Sequence, residues 1–213
     1  MREHTIIIAD DHPLFRAALS QVISTDLPDA IVLEAEDVDA LQQQVAQHPE
    51  AALVLLDLHM PGAQGFSSLI HLRACYPALP VMMVSADAAP DVLTRALRHG
   101  AAGFLPKSCS MEQISDAIRA ALVGERWMPQ DFEPVDIDTE GEQAVAHILA
   151  TLTPQQFRVA TLISQGLLNK QIAYEMSVTE ATVKAHATEI YRKLGVSSRT
   201  QAVLALQQLE VRC

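Results

Sequence analysis

The stretch Ala51-Ala52-Leu53-Val54-Leu55-Leu56-Asp57-Leu58-His59-Met60-Pro61-Gly62 decides how the chain reads. From Ala52 to Leu56 the residues are all apolar, and they run directly into a carboxylate. A short unbroken apolar run closed by Pro-Gly predicts a strand buried on both faces, followed by a loop. Asp57 then stands at the carboxyl end of that strand, the edge where open parallel sheets bind their ligands. A carboxylate left unpaired there is costly, so neighbouring segments must compensate it.

Working outward, the same pattern recurs. Thr5-Ile6-Ile7-Ile8-Ala9 ends in Asp10-Asp11, Pro80-Val81-Met82-Met83-Val84 ends in Ser85, and Gly103-Phe104-Leu105-Pro106 ends in Lys107. Ile31 to Glu36 reads as a further short strand. Between the strands lie helical stripes: Leu14, Ala18, Leu19 and Val22; Leu41 and Val45 after a capping Asp37; about Gly65 to Cys75; Pro90 to His99; and Met111 to Val123 behind Ser110. Five strand–helix repeats predict a doubly wound α/β domain with a five-stranded parallel sheet, flavodoxin-like, in the order 2-1-3-4-5.

The pattern lapses after Gly124. Residues 125–149 read as an acidic linker, with a helical turn or two in the apolar Ala144 to Leu149. Residues 150–213 then predict four helices: Pro154 to Gln165, Asn169 to Met176, Thr179 to Leu194 closed by Gly195, and Arg199 to Leu209. The second and third, joined by Ser177-Val178-Thr179, suit a helix-turn-helix. Val183, Ala187, Ile190 and Leu194 form the inward stripe of the third helix, while Lys184, Thr188 and Arg192 share its other face.

The chain has 213 residues, enough for one large or two small domains, and 49% are hydrophobic. No run suits a membrane span, and the three widely spaced cysteines suit reduced thiols in a cytoplasm. The net charge of −11 is uneven: residues 1–150 carry −14 and residues 151–213 carry +3. The basic tail keeps nucleic acid open as a partner that the total alone would exclude.

Taken singly, each strand-end residue has an ordinary explanation as a cap or a solvated charge. Together, parallel strands bring Asp10, Asp11, Asp57, Ser85 and Lys107 to one edge. Clustered carboxylates favour a hard cation such as Mg²⁺. A carboxylate can attack phosphorus, a lysine can hold transferred oxygens, and a hydroxyl can reorient toward them. Residues 4–123 resemble a two-component receiver domain on these residues. The resemblance implies a histidine kinase as donor and Asp57 as phosphoacceptor. It implies Mg²⁺ on Asp11, Asp57 and the His59 backbone carbonyl, with Asp10 acting mostly through water. Lys107 would contact the phosphoryl group, and Ser85 and Phe104 would form the switch. Phe104 also fits plain core packing. A phosphatase of the haloacid-dehalogenase type fits poorly, because it wants an aspartate where His59 stands.

Leu152-Thr153-Pro154, Gly166-Leu167-Leu168-Asn169-Lys170, Thr182-Val183-Lys184-Ala185-His186 and Lys193-Leu194-Gly195-Val196 resemble the LuxR-type four-helix DNA-binding domain. That resemblance puts Lys184, Ala185 and Thr188 against bases of double-stranded DNA. It puts Asn169, Lys170, Thr182 and Arg192 on the phosphate side, and pairs the last helix, with Val203, Leu206 and Leu209, across a homodimer. His186 fits a structural role or a phosphate contact better than a metal ligand.

The combined reading is a cytoplasmic response regulator of the NarL/FixJ type, not an enzyme, with a receiver (1–124), a linker (125–149) and a helix-turn-helix domain (150–213). Phosphorylation is expected to control DNA binding, and the charge split predicts that the acidic half covers the basic helix at rest. The alternative is a DNA-binding regulator that works without phosphorylation.

Overall fold

A computed structural model describes residues 4–63, 65–137 and 139–209. Five parallel strands, β1 (Thr5–Ala9), β2 (Ile31–Ala35), β3 (Leu53–Asp57), β4 (Val81–Ser85) and β5 (Gly103–Pro106), form one sheet in the order β2-β1-β3-β4-β5. The helices between them are α1 (Pro13–Asp26), α2 (Val38–Gln47), α3 (Ser67–Cys75), α4 (Pro90–Arg98) and α5 (Met111–Leu122). Pairing Ile8 with Leu55 and Leu56 with Met83 sets the register of the central strands. Every residue of β3 and β4 is buried, as unbroken apolar runs require when helices cover both faces.

Alternate strand residues feed two cores. Ile6, Ile8, Leu53, Leu55, Met82 and Val84 pack with α1 and α5. Ile7, Val54, Leu56, Val81, Met83 and Phe104 belong to the opposite face. The open edge of β5 is partly covered by Trp127, whose carbonyl accepts the Phe104 N–H at 3.1 Å. A Cβ at Gly103 would lie 2.6 Å from that carbonyl, so the close approach needs glycine.

The second core does not stop at the sheet. It continues through Val145, Leu149, Phe157, Ile163, Ile190, Leu206 and Leu209. These belong to α6 (Glu140–Leu149), α7 (Pro154–Ser164), α9 (Glu180–Leu194), α10 (Arg199–Leu206) and a terminal 3₁₀ turn (Gln207–Leu209); α8 (Asn169–Glu175) completes the C-terminal unit. Local chemistry fixes these helices. Thr153 and Gln156 form a capping box, Pro154 opens α7, Thr179 and Ser198 cap α9 and α10, and Gly195 ends α9 in the left-handed region.

Two differences from the sequence reading matter. The few turns expected within 144–149 are a ten-residue helix, α6, that begins at Glu140 and packs on α3. The last helix breaks after Leu206 into the 3₁₀ turn, and Leu209 is fully buried.

Candidate functional site

At the carboxyl edge of the sheet, Asp10 and Asp57 are almost completely buried on adjacent strands. The Lys107 ammonium lies 2.7 Å from Asp10 Oδ2 and donates to Asp57 Oδ2 at 2.9 Å. Burial raises the Asp57 pKa, with the Lys107 hydrogen bond pulling the other way. For Lys107, burial disfavours the charge, but its contacts with Asp10 and Asp57 outweigh it and the pKa is raised. The His59 N–H donates to Asp57 Oδ1 at 3.3 Å. The Ser85 hydroxyl accepts the Asp87 N–H at 3.0 Å, and the Asp87 carboxylate accepts the Ala89 N–H just ahead of α4. Phe104 is wholly inside the core, as packing in β5 demands.

His12 is a member of this pocket that the sequence reading did not single out. Its Nδ1 lies 2.7 Å from Asp11 Oδ1 and 3.1 Å from Asp10 Oδ1. Direct adjacency to Asp10-Asp11 was the available signal. Asp10 Oδ2 and Asp11 Oδ1 are buried, each with one close neighbour at 2.7 Å, Lys107 Nζ and His12 Nδ1 respectively, and each keeps a further lone pair. One ligand atom from each of Asp10, Asp11, His12 and Asp57 falls within a 4.8 Å group. Buried carboxylate oxygens with spare acceptor capacity fit a hard divalent cation such as Mg²⁺.

The second site is the outer face of α9. Lys184, Ala185, Thr188 and Arg192 are all exposed, and Val183, Ala187 and Ile190 are buried against the other helices. Lys184 pairs with Glu180 at 3.0 Å and Arg192 with Glu189 at 2.6 Å. Neither acidic partner was singled out from sequence, although both stand at helical spacing. Lys170 is exposed, Thr182 is half-buried beside Thr179, and Asn169 Oδ1 accepts from Arg199 at 3.4 Å.

The expected cover over the basic helix is not what the structure shows, since the side chains of Lys184 and Arg192 are 63% and 70% exposed. The α/β unit instead meets α6, α7 and the terminal turn. Glu142 of α6 is buried and accepts from Arg95 Nε at 2.9 and 3.0 Å, with His99 Nε2 at 2.7 Å. Burial opposes its charge, yet His99 and Arg95 hold its pKa below the usual range. Arg158 of α7 pairs with Asp39 of α2. The Phe66 N–H donates to the Leu209 carbonyl at 3.2 Å. Leu209, expected to pair across a dimer, is spent on this contact, and Leu206, expected to do the same, is buried beside it against α7, because an apolar stripe does not specify its partner.

His71 of α3 stacks on Phe157 of α7 with ring centroids 4.1 Å apart. Burial lowers its pKa to about 4, against a hydrogen bond to the Leu149 backbone. A histidine with a depressed pKa stabilises the packed arrangement fully above its free value of about 6.5, and loses that stabilisation as pH falls toward 4. Lowering the pH to about 5.5 is therefore expected to raise the ratio of separated to packed units about tenfold. Sedimentation or small-angle scattering reads this as a more extended particle. His71→Leu should remove most of the pH dependence, and an unchanged profile in that variant would reject His71 as its source.

The acidic pocket at the sheet edge of one unit and the exposed helix carrying Lys184 and Arg192 on the other each have a counterpart among known proteins. A family model for the response regulator receiver domain matches residues 6–119, more than half of the chain, and the chain belongs to this family. A model for bacterial regulatory proteins of the luxR family matches residues 150–206, which makes it a DNA-binding two-component response regulator of the NarL/FixJ type. The chain is 39% identical to the glycerol metabolism activator of Pseudomonas putida, over 97% of this chain and 96% of the relative. It is 31% identical to the nitrate/nitrite response regulator NarL of Escherichia coli K12, over 96% and 95%. Its fold is similar to a structure of two RcsB dimers bound to two parallel DNAs, with TM-score 0.58, 22% identity, and coverage of 98% and 100%. No helix among the described residues is long and apolar enough to cross a membrane.

Proposed function

We propose that phosphorylation of Asp57 by a histidine kinase in the cytoplasm switches this regulator into a form that binds DNA as a homodimer. The observation carrying the reading is a carboxylate buried at the sheet edge, 2.9 Å from a lysine ammonium and beside two further carboxylates. Asp57 would attack the phosphorus of a phosphohistidine; its new O–P bond forms as the P–N bond breaks, and the imidazole leaves with a proton. Lys107 would hold the transferred oxygens, and Asp10, Asp11, Asp57 and the His59 carbonyl would hold Mg²⁺. When bound, Mg²⁺ would neutralise charge on the phosphoryl group.

The Ser85 hydroxyl would turn to the new phosphoryl group and release the Asp87 N–H. Phe104 would adjust behind it. Through Asp87 and Ala89 that loop leads into α4, whose Arg95, with His99 at its C-cap, holds Glu142. Loosening the clasp would free Leu206 and Leu209 for the dimer. The receiver would extend to residue 124 and the DNA-binding domain would begin at 150, with the clasp in the segment between.

Incubation with acetyl phosphate and Mg²⁺ tests the reading. Wild type should gain one phosphoryl mass and shift toward dimer, while Asp57→Asn gains none. An Asp57→Asn protein that binds and regulates its operator normally would favour phosphorylation-independent control instead.

On DNA, Lys170, Lys184 and Arg192 would neutralise phosphates or reach bases, with Asn169 and Thr182 beside them. Affinity should then fall steeply with salt. Arg192→Ala is expected to lower the slope of log affinity against log salt by about 1. An unchanged slope would remove Arg192 from the interface.

A further inference from the structure

Lys184, Ala185 and Thr188 form one exposed cluster near the start of α9. Residues three and four apart on a helix are neighbours, with Cβ atoms about 5–6 Å apart. The cluster's chemistry is narrower than its residue types suggest. The Thr188 hydroxyl donates to the Lys184 backbone carbonyl at 2.9 Å. That bond turns the hydroxyl into the helix and leaves the γ-methyl as the group free to meet a ligand. Ala185 offers only a methyl. Beside this pair stands the Lys184 ammonium, held by Glu180.

The major groove presents a methyl group at thymine alone, and its usual partner for lysine is the O6/N7 edge of guanine. We infer that α9 reads a half-site in which thymine methyls pack on Ala185 and Thr188, next to a guanine bound by Lys184. The inference rests on the reading that α9 enters the major groove of DNA. The geometry is compatible with adjacent pairs: base pairs rise about 3.4 Å, so side chains whose Cβ atoms lie about 5–6 Å apart span one or two steps. Hydrogen-bonded readout by Thr188 would first have to break its bond to the helix. The Lys184–Glu180 pair is exposed, so Lys184 can exchange that partner for guanine.

The test uses the full chain after treatment with acetyl phosphate and Mg²⁺, offered random-sequence duplex DNA through rounds of selection. The selected duplex is then remade with deoxyuridine in place of each thymidine, which removes only the methyl. Guanine beside thymine is expected in the half-site. Removing one methyl there should weaken binding about three- to tenfold, in keeping with burial of a single methyl. Thr188→Val keeps the methyl and loses the hydroxyl, and should retain both affinity and sensitivity to uracil. Thr188→Ser keeps the hydroxyl and should lose the sensitivity at one position. The inference is overturned if Thr188→Ser behaves as wild type while Thr188→Val does not, or if no uracil substitution weakens the selected duplex. Failure of the wild type to retain any duplex would overturn the DNA-binding reading itself, a result distinct from sequence-selective binding that ignores the methyl.

Discussion

Replacing Glu142 with lysine is expected to separate the two units without any phosphoryl group. The wild-type carboxylate belongs to a residue 8% exposed and sits between Arg95 of α4 and His99, which caps the end of that helix. Lysine would set a second cation against the half-buried Arg95 guanidinium in place of its carboxylate. Breaking a buried ion pair from one side costs about 3–5 kcal/mol. Here the molecule has a way out short of unfolding, because α4 belongs to the receiver and α6 can leave with the C-terminal helices. The cost should therefore appear as separation, shifting the equilibrium about a hundredfold to several thousandfold. Sedimentation should slow, and Leu206 and Leu209 should become available for dimer contacts. DNA affinity in the unphosphorylated variant should approach that of the phosphorylated wild type. Glu142→Gln removes charge without adding any, and should give a smaller shift in the same direction. Wild-type sedimentation and wild-type DNA affinity in Glu142→Lys would sink the clasp as the resting restraint.

The clasp also marks where the sequence stops being readable. Strand runs such as Leu53 to Leu56 and Val81 to Val84 carry their own signal, because a parallel sheet buried on both faces needs continuous apolar residues. Asp57, Ser85 and Lys107 follow as the residues where such runs end, and parallel pairing brings the ends together. The outward face of α9 was legible for the same reason, since helical spacing puts Lys184, Thr188 and Arg192 on one side. Contacts between the units have no such periodicity. Glu142 meets Arg95 and His99 across 47 and 43 residues of chain. Nothing in a local window separates Glu142 from other acids near it. The charge split misled in a physical way: it counted net charge, but the receiver presents its own Arg95 and Arg98 to the acidic segment. Likewise the Leu206–Leu209 pattern established that this face is covered, and left open whether a second chain or the receiver covers it.

The largest expected effect on the fold itself comes from Lys107→Ala. Asp10 and Asp57 are each 2% exposed at the side chain, and the Lys107 side chain is 15% exposed. Without Mg²⁺ that ammonium lies within 3 Å of both carboxylates, closer to each than His12 Nδ1 at 3.1 and 3.9 Å. Its loss should cost about 3–5 kcal/mol, since two like charges stay buried and lose their common partner. In a chain of this size each kcal/mol is worth about 2–4 °C, so Tm should fall by about 6–20 °C. The deficit should also depend on pH in a set direction. The Asp57 pKa is already raised by burial, and losing the lysine raises it further. A carboxyl with a raised pKa stabilises the fold while protonated and loses that stabilisation as pH rises through its folded value. The Tm gap between variant and wild type should accordingly narrow as pH falls through the carboxylate range. Asp57→Asn in the Lys107→Ala background removes one of the stranded charges and should restore much of the loss, a coupling that independent sites would not show. Added Mg²⁺ should raise the Tm of Lys107→Ala more than that of wild type, because the cation would stand in for the missing ammonium among the same oxygens. A variant that melts with wild type in buffer without Mg²⁺ would mean that water already screens these carboxylates. The argument that ties the pocket's chemistry to its burial would then fail.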